Sequence, residues 1–235
     1  MYMQTKNKTT TLNKELLVKQ FGEKISNLAH KMIWRADIAE EAAQEVWFEI
    51  LKSIHTFKGK SNISTWIYTI AKRTILRYTQ NEKVLSYQDF DTHFNQNEIE
   101  YTGAKSDKEQ WVKQKCDYCL TAFCHCLNNE ARIIFLFRDI VELDDAEIAQ
   151  IMETSCENIR QIAHRSREKV KHFMQKDCYL IKSNANCRCR ISKHIKSIEL
   201  DKQYHKLREI VSFIDFFKEL KKELPKKNYW KKLIK

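Results

Sequence analysis

Apolar residues recur at helical steps of three and four along most of the first eighty positions. Leu16, Leu17, Phe21, Ile25, Leu28, Ala29 and Met32 form one stripe with polar residues between, which predicts a helix from Leu12 to about Lys31. A second stripe of Ala39, Ala42, Ala43, Val46, Trp47, Ile50 and Leu51 predicts a helix from about Asp37 to Ile54. Asp37 is placed to cap it, and Glu40 completes a capping-box pattern. A polar loop, Phe57 to Ile63, comes next, and Ser64 then heads a helix from Thr65 to about Gln80. From Glu82 to about Lys113 no period is sustained, as in a linker.

Periodicity resumes in four shorter segments: Val112–Leu127, Glu130–Asp139, Asp145–Met152 and Cys156–Phe173. Glu153 and Thr154 make a tight turn before the last, with Ser155 at its cap. A short helix, a three-residue turn and a longer polar-basic helix give the helix-turn-helix layout. Far downstream, Tyr204, Leu207, Ile210, Val211, Ile214, Phe217, Leu220 and Leu224 share one helical face, which Pro225 ends.

Composition narrows the fold. Three glycines and one proline in 235 residues leave little of the punctuation that a sheet protein needs, so an all-α chain is expected, with two small helical domains and a C-terminal helical extension. No apolar run approaches 18 residues and the N-terminus has no secretory pattern. No membrane span and a cytoplasmic site are therefore expected, with the eight cysteines reduced. The 42 Lys and Arg against 31 Asp and Glu give a net charge of +11, which draws polyanions. No nucleophile–base constellation or glycine-rich phosphate loop is present. Catalysis is not expected, and no cofactor is required.

Two surfaces stand out. On the last helix-turn-helix segment, CENIRQIAHRSREKVKHF, Ile159, Ile162, Ala163, Val170 and Phe173 face inward, leaving Asn158, Arg160, Gln161, His164, Arg165 and Arg167 on or near the outward face. Arginine pairs with guanine, and Asn or Gln with adenine, in the major groove; the remaining cations suit phosphates. An ordinary solvated helix is the competing reading. On the second helix, Glu40, Glu41, Gln44, Glu45 and Glu49 make an acidic stripe in an otherwise basic protein, again against the alternative of a solvated face.

The two blocks resemble a known family in its own order. Glu41-Ala42-Ala43-Gln44-Glu45-Val46-Trp47, then Phe57-Lys58-Gly59-Lys60-Ser61, then Ser64-Thr65-Trp66-Ile67-Tyr68 are similar to region 2 of the extracytoplasmic-function (ECF) sigma factors of bacterial RNA polymerase. LNNEARIIFLFRDIVELDDAEIAQIMETSCENIRQIAHRSREKVKHF resembles their region 4. The resemblance implies region 2 over 12–81, a linker over 82–111, region 4 over 112–175 and an extension over 176–235. Core RNA polymerase and promoter DNA are the implied partners, with an anti-sigma factor as a further one. Glu41, Gln44, Glu45 and Trp47 would dock on the polymerase. Lys58, Lys60, Asn62, Ser64, Thr65, Trp66, Lys72 and Arg73 would hold the single-stranded minus-ten element, Trp66 being equally readable as a core aromatic. Ser155, Asn158, Arg160, Gln161, His164, Arg165 and Arg167 would meet the minus-thirty-five duplex. The chain departs from the family pattern at Glu153 (commonly glycine), at Asn128 and Asn129 (usually a proline) and at Trp47 (usually phenylalanine).

Cys178, Cys187 and Cys189 lie in a C-terminal Cys-x8-Cys-x-Cys pattern found in one branch of that family, and Cys116 stands with Cys119, Cys124 and Cys126 ahead of the helix-turn-helix itself. Together Cys116, Cys178, Cys187 and Cys189 have the thiolates of a tetrahedral zinc site, and inert buried thiols are the alternative. A stand-alone helix-turn-helix regulator, responsive to thiol state or metal, is the competing function.

Overall fold

The computed structural model describes residues 13–86, 88–89, 101–104, 107–108, 111 and 121–177. Within them the chain is helical: α1 (Lys14–Met32), α2 (Ala36–Ser53), a 3-10 turn (Ile54–Thr56), α3 (Ile63–Tyr78), α4 (Asn129–Leu136), one π-helical turn (Phe137–Val141), α5 (Asp145–Met152) and α6 (Cys156–Asp177). No helix among the described residues is long and apolar enough to cross a membrane.

The helix starts follow from local chemistry. Asn13 caps α1, its side chain accepting from the amides of Glu15 and Leu16. Asn128 caps α4 by accepting from Ala131 N at 2.8 Å, so this departure from the family's proline supplies an acceptor. Asp144 and Glu147 form a reciprocal capping box on α5, and Ser155 Oγ accepts from Asn158 N at the head of α6. Two expected caps fall elsewhere. Arg35, not Asp37, precedes α2, and Asp37 pairs instead with the Arg35 guanidinium. Asn62, not Ser64, precedes α3, which leaves the Ser64 hydroxyl for another partner.

α1, α2 and α3 pack on one another, and α6 packs on both α4 and α5, but the halves do not stand apart. α4 lies against α1 and α5 against α3, and a single buried cluster runs through both. Tyr68 of α3 meets Phe21 of α1 and Phe137 of the π turn edge-on, with centroids at 5.9 and 5.6 Å. Its hydroxyl is buried with no hydrogen bond among the described residues, and burial, then the charge of Glu147, pushes the phenol well above its ordinary pKa.

The polar seam between the halves centres on Arg132, fully buried on α4. Its guanidinium donates to the carbonyls of Met32 (2.8 Å), Leu127 (2.9 Å) and Cys124 (3.2 Å), joining the end of α1 to the turn before α4. Asn129 Nδ2 donates to Thr79 O at 2.8 Å. The first linker residues are pinned here too: Trp34 N donates to Glu82 Oε1 (3.1 Å), and Leu85 N to His125 O (2.8 Å).

His125 is buried beside Trp34, with Nδ1 3.5 Å from Glu82 Oε2. Burial, then the Arg132 cation, pushes its imidazole from 6.5 down to about 3, so the ring is neutral beside that carboxylate. Because the folded pKa is depressed, the unfolded chain takes up the proton first. Stability is expected to fall by about 1.4 kcal/mol per pH unit as pH drops below 6.5 toward 3. His125→Gln should flatten that slope in denaturant melts across the window; equal slopes in variant and parent would count against it.

Candidate functional site

The acidic edge of α2 is presented much as its spacing requires. Glu41 and Gln44 are exposed and Glu45 half-buried, one helical turn apart on a single face. Tyr78 OH donates to Glu41 Oε1 at 3.3 Å and Arg77 Nη2 lies 3.5 Å from Glu45 Oε1, so the edge is steadied by the end of α3. Trp47 does not belong to it. Its side chain is buried on the opposite stripe with Ala43, Val46 and Ile50, out of reach of a partner. The aromatic on the acidic edge is Phe48, 59 % exposed with Lys52 over its ring at 5.7 Å. Sequence reading missed it, although its spacing of three and four from Glu45 and Gln44 places it there.

The loop from Phe57 to Asn62 turns on Gly59, whose φ of +68° is open to glycine and costly for other residues. A Cβ there would meet nothing within 4 Å, so the constraint is conformational rather than steric. Gly59→Ala is expected to cost about 1 kcal/mol and Gly59→Asn less, as read by thermal melts. A smaller loss for alanine than for asparagine would contradict this.

Lys58, Lys60 and Asn62 are exposed around that turn, and Ser64 and Trp66 are half-buried at the head of α3. Trp66 packs on the core with its ring 5.4 Å from Phe57, so it forms an apolar wall rather than a free platform. Thr65 is buried, its carbonyl accepting from Thr69 Oγ1; it faces inward, not toward a ligand. Arg73 is exposed one turn on and Lys72 half-buried beside it.

On α6 the outward row divides. Gln161, His164 and Arg165 are exposed along it; Gln161 is bonded to Glu157 and Arg165 to the Gln161 carbonyl. Arg160 is exposed but held by Asp145 (3.2 Å) and Glu157 (3.6 Å). Asn158 is half-buried and donates to Thr154 Oγ1. Arg167 departs from the expected outward face. It turns onto the buried carboxylate of Asp139, Nε lying 3.0 and 3.1 Å from its two oxygens, with a further bond from Nη2. The π turn carries Asp139 to that place, so Arg167 ties α6 to the turn rather than facing DNA.

Cys116, Cys178, Cys187, Cys189 and the amphipathic stretch from Tyr204 to Leu224 lie outside the described residues. Cys124 and Cys126 are buried beside His125, where burial pushes the Cys126 thiol up to about 11. That is the condition of a small core side chain rather than a reactive one.

A three-helix unit with an acidic edge and a polar loop, followed by a capped helix-turn-helix, is the layout that the resemblance to sigma factors implies. Residues 17–83 match the family described as Sigma-70 region 2. The chain is 24% identical over 162 residues to "RNA polymerase sigma factor YlaC" of Bacillus subtilis, covering 69% of this chain and 92% of that one. It is 23% identical to "ECF RNA polymerase sigma-E factor" of Haemophilus influenzae (68% and 86%) and 24% identical to the protein of that name in Escherichia coli K12 (68% and 85%). The solved structure "CnrH in complex with the cytosolic domain of CnrY" shares the fold with a TM-score of 0.52 at 13% identity, covering 70% of this chain and 88% of that one. The chain thus carries a segment matching Sigma-70 region 2 and, over about two-thirds of its length, is similar to sigma factors that include ECF members.

Proposed function

We infer that this chain binds core RNA polymerase and directs it to promoters, working through binding energy in the cytoplasm and making or breaking no covalent bond. The acidic edge of α2, Glu41, Gln44 and Glu45 with Phe48 beside them, is the polymerase contact. Acidic groups repel DNA and suit a basic partner, and the exposed ring adds apolar area at the centre of the patch. Region 2 spans α1 to α3 and region 4 the segment through α6, with the stretch after Glu82 as their linker.

The loop around Gly59 and the head of α3 hold the unstacked minus-ten strand. Lys58, Lys60, Lys72 and Arg73 take its phosphates, Asn62 and Ser64 take base edges, and Trp66 with Phe57 forms the apolar wall. Asn158, Arg160, Gln161, His164 and Arg165 read the minus-thirty-five duplex, with Ser155 at the helix head near the phosphates. Unstacking costs a few kcal/mol per base, which contacts to the flipped base and the polymerase scaffold offset. No cofactor enters this scheme; zinc at the cysteines, and an anti-sigma protein that holds the chain off the polymerase, are proposals beside it.

The observation that carries the reading is the region 2 match over 17–83, with the acidic edge exposed inside it. Run-off transcription and gel shifts with and without core polymerase test it. Promoter binding and strand opening are expected only with core present. Tight duplex binding by the chain alone, unchanged by core, would favour a stand-alone regulator.

A further inference from the structure

The outward row of α6 is held unevenly. Gln161 bonds to Glu157 and Arg165 to the Gln161 carbonyl, both within α6, and Asn158 reaches only the turn before it. Arg160 differs. Among the described residues it is the one member of that row bonded to another helix, its Nε donating to Asp145 Oδ2 at 3.2 Å. Asp145 is the first residue of α5.

Asp145 is itself pinned. Its other oxygen, Oδ1, lies 3.4 Å from Nε of Arg138 on the π turn. The carboxylate is gripped from two sides, with its side chain 21% exposed. It also sits in the first turn of α5, where the helix dipole favours a negative charge. Glu157 approaches Arg160 as well, 3.6 Å from Nη1, but from the same helix and with a largely exposed side chain. Such a pair is weak and its geometry loose. The direction of the Arg160 guanidinium is therefore set by Asp145.

With Nε engaged, the donors that remain are the two Nη groups at the end of the fork, on a side chain that stays 58% exposed. An arginine that meets guanine in the major groove presents two donors to O6 and N7. A guanidinium free to swing would serve phosphates of any sequence equally. The carboxylate meanwhile acts against affinity, because a negative charge beside a DNA-reading row repels the phosphates. A group that weakens general binding and fixes one pair of donors works for discrimination.

We propose that Asp145 is a positioning residue of the minus-thirty-five interface: braced by Arg138, it aims Nη1 and Nη2 of Arg160 at a guanine and so sets the base accepted at one position. This rests on the reading of α6 as the helix that meets the minus-thirty-five duplex.

A selection from duplexes randomised across the minus-thirty-five element tests it, with the bound fraction sequenced. The selection is run with holoenzyme reconstituted on core polymerase and, in parallel, with the full chain alone. Arg160→Ala marks the position by the guanine preference that it removes. There Asp145→Ala should lower guanine preference at least fivefold, with the other positions within twofold of the parent. Asp145→Asn, which keeps the shape at the head of α5, should lower it at least twofold. Binding of Asp145→Ala to a mixed-sequence duplex should equal or exceed that of the parent. In an Arg160→Ala background, Asp145→Ala should change nothing further at that position. Guanine preference undiminished in both Asp145 variants, while Arg160→Ala abolishes it, overturns the positioning role and leaves the minus-thirty-five reading standing. A loss spread evenly over all positions is the mark of a loosened fold and overturns it too. Base preference in the chain-alone run only removes the sigma reading, and the chain-alone profiles then decide Asp145 in the same way. No Arg160-dependent preference in either run overturns the proposal together with the place of Arg160 in duplex reading.

Discussion

A chain carrying Glu41→Lys together with Glu45→Lys is expected to lose at least about a hundredfold in affinity for core RNA polymerase, or roughly 2.7 kcal/mol, while melting within a few degrees of the parent. The two effects separate because the charges do different work inside and outside the molecule. Within the chain, Glu45 meets Arg77 at 3.5 Å and Glu41 accepts from Tyr78, both at the surface. Such contacts contribute about 0–1 kcal/mol. Against a basic partner, two reversed charges turn attraction into repulsion across a patch that loses its water. Surface-plasmon binding to core enzyme, paired with circular-dichroism melts, checks both halves of the prediction. Normal association with an intact fold would remove the acidic edge from the mechanism and the assignment of α2 with it.

Arg132→Met is expected to destabilise the protein by about 3–5 kcal/mol, well beyond the loss of any surface ion pair. The guanidinium is fully buried, and burial lowers its pKa only to about 10, so it stays charged near neutrality. Methionine fills similar volume but donates nothing, and the carbonyls of Met32, Leu127 and Cys124 lose their shared donor together. Each buried acceptor left unsatisfied costs about 1–3 kcal/mol. Urea unfolding gives the number directly. A loss below about 1 kcal/mol would mean that water reaches those carbonyls once the cation is gone.

Much of this architecture was legible in the sequence because amphipathic period and caps are local signals. The Asp145–Met152 helix is found at its expected bounds, and α6 begins at Cys156 as its cap pattern requires. Trp47 shows two lines of reasoning in conflict. Its period of three and four put it on the buried stripe, while the family resemblance put it at the polymerase; packing decides for the stripe. Phe48, one step further, takes the exposed place. Arg167 escaped sequence reading for a different reason. Its partner Asp139 lies 28 residues earlier and arrives through a π turn, which leaves no trace in a 3.6-residue pattern. The seam between the halves was equally hidden, since a buried arginine on three carbonyls looks in sequence like any surface cation. Asn129 and Glu153, both departures from the family pattern, turn out to be ties across that seam.

The Tyr68–Phe137 packing bears on how the protein is made. The ribosome releases α1, α2 and α3 first, and Phe137 follows about 60 residues after the end of α3, which at cellular rates of about 5–20 residues per second is a wait of several seconds. Through that interval the nascent first half exposes the ring of Tyr68 and the unshielded end of α1 to water. Half-made chains are therefore the form most prone to stick together, and slow translation between Tyr78 and Asn129 would lengthen the exposure.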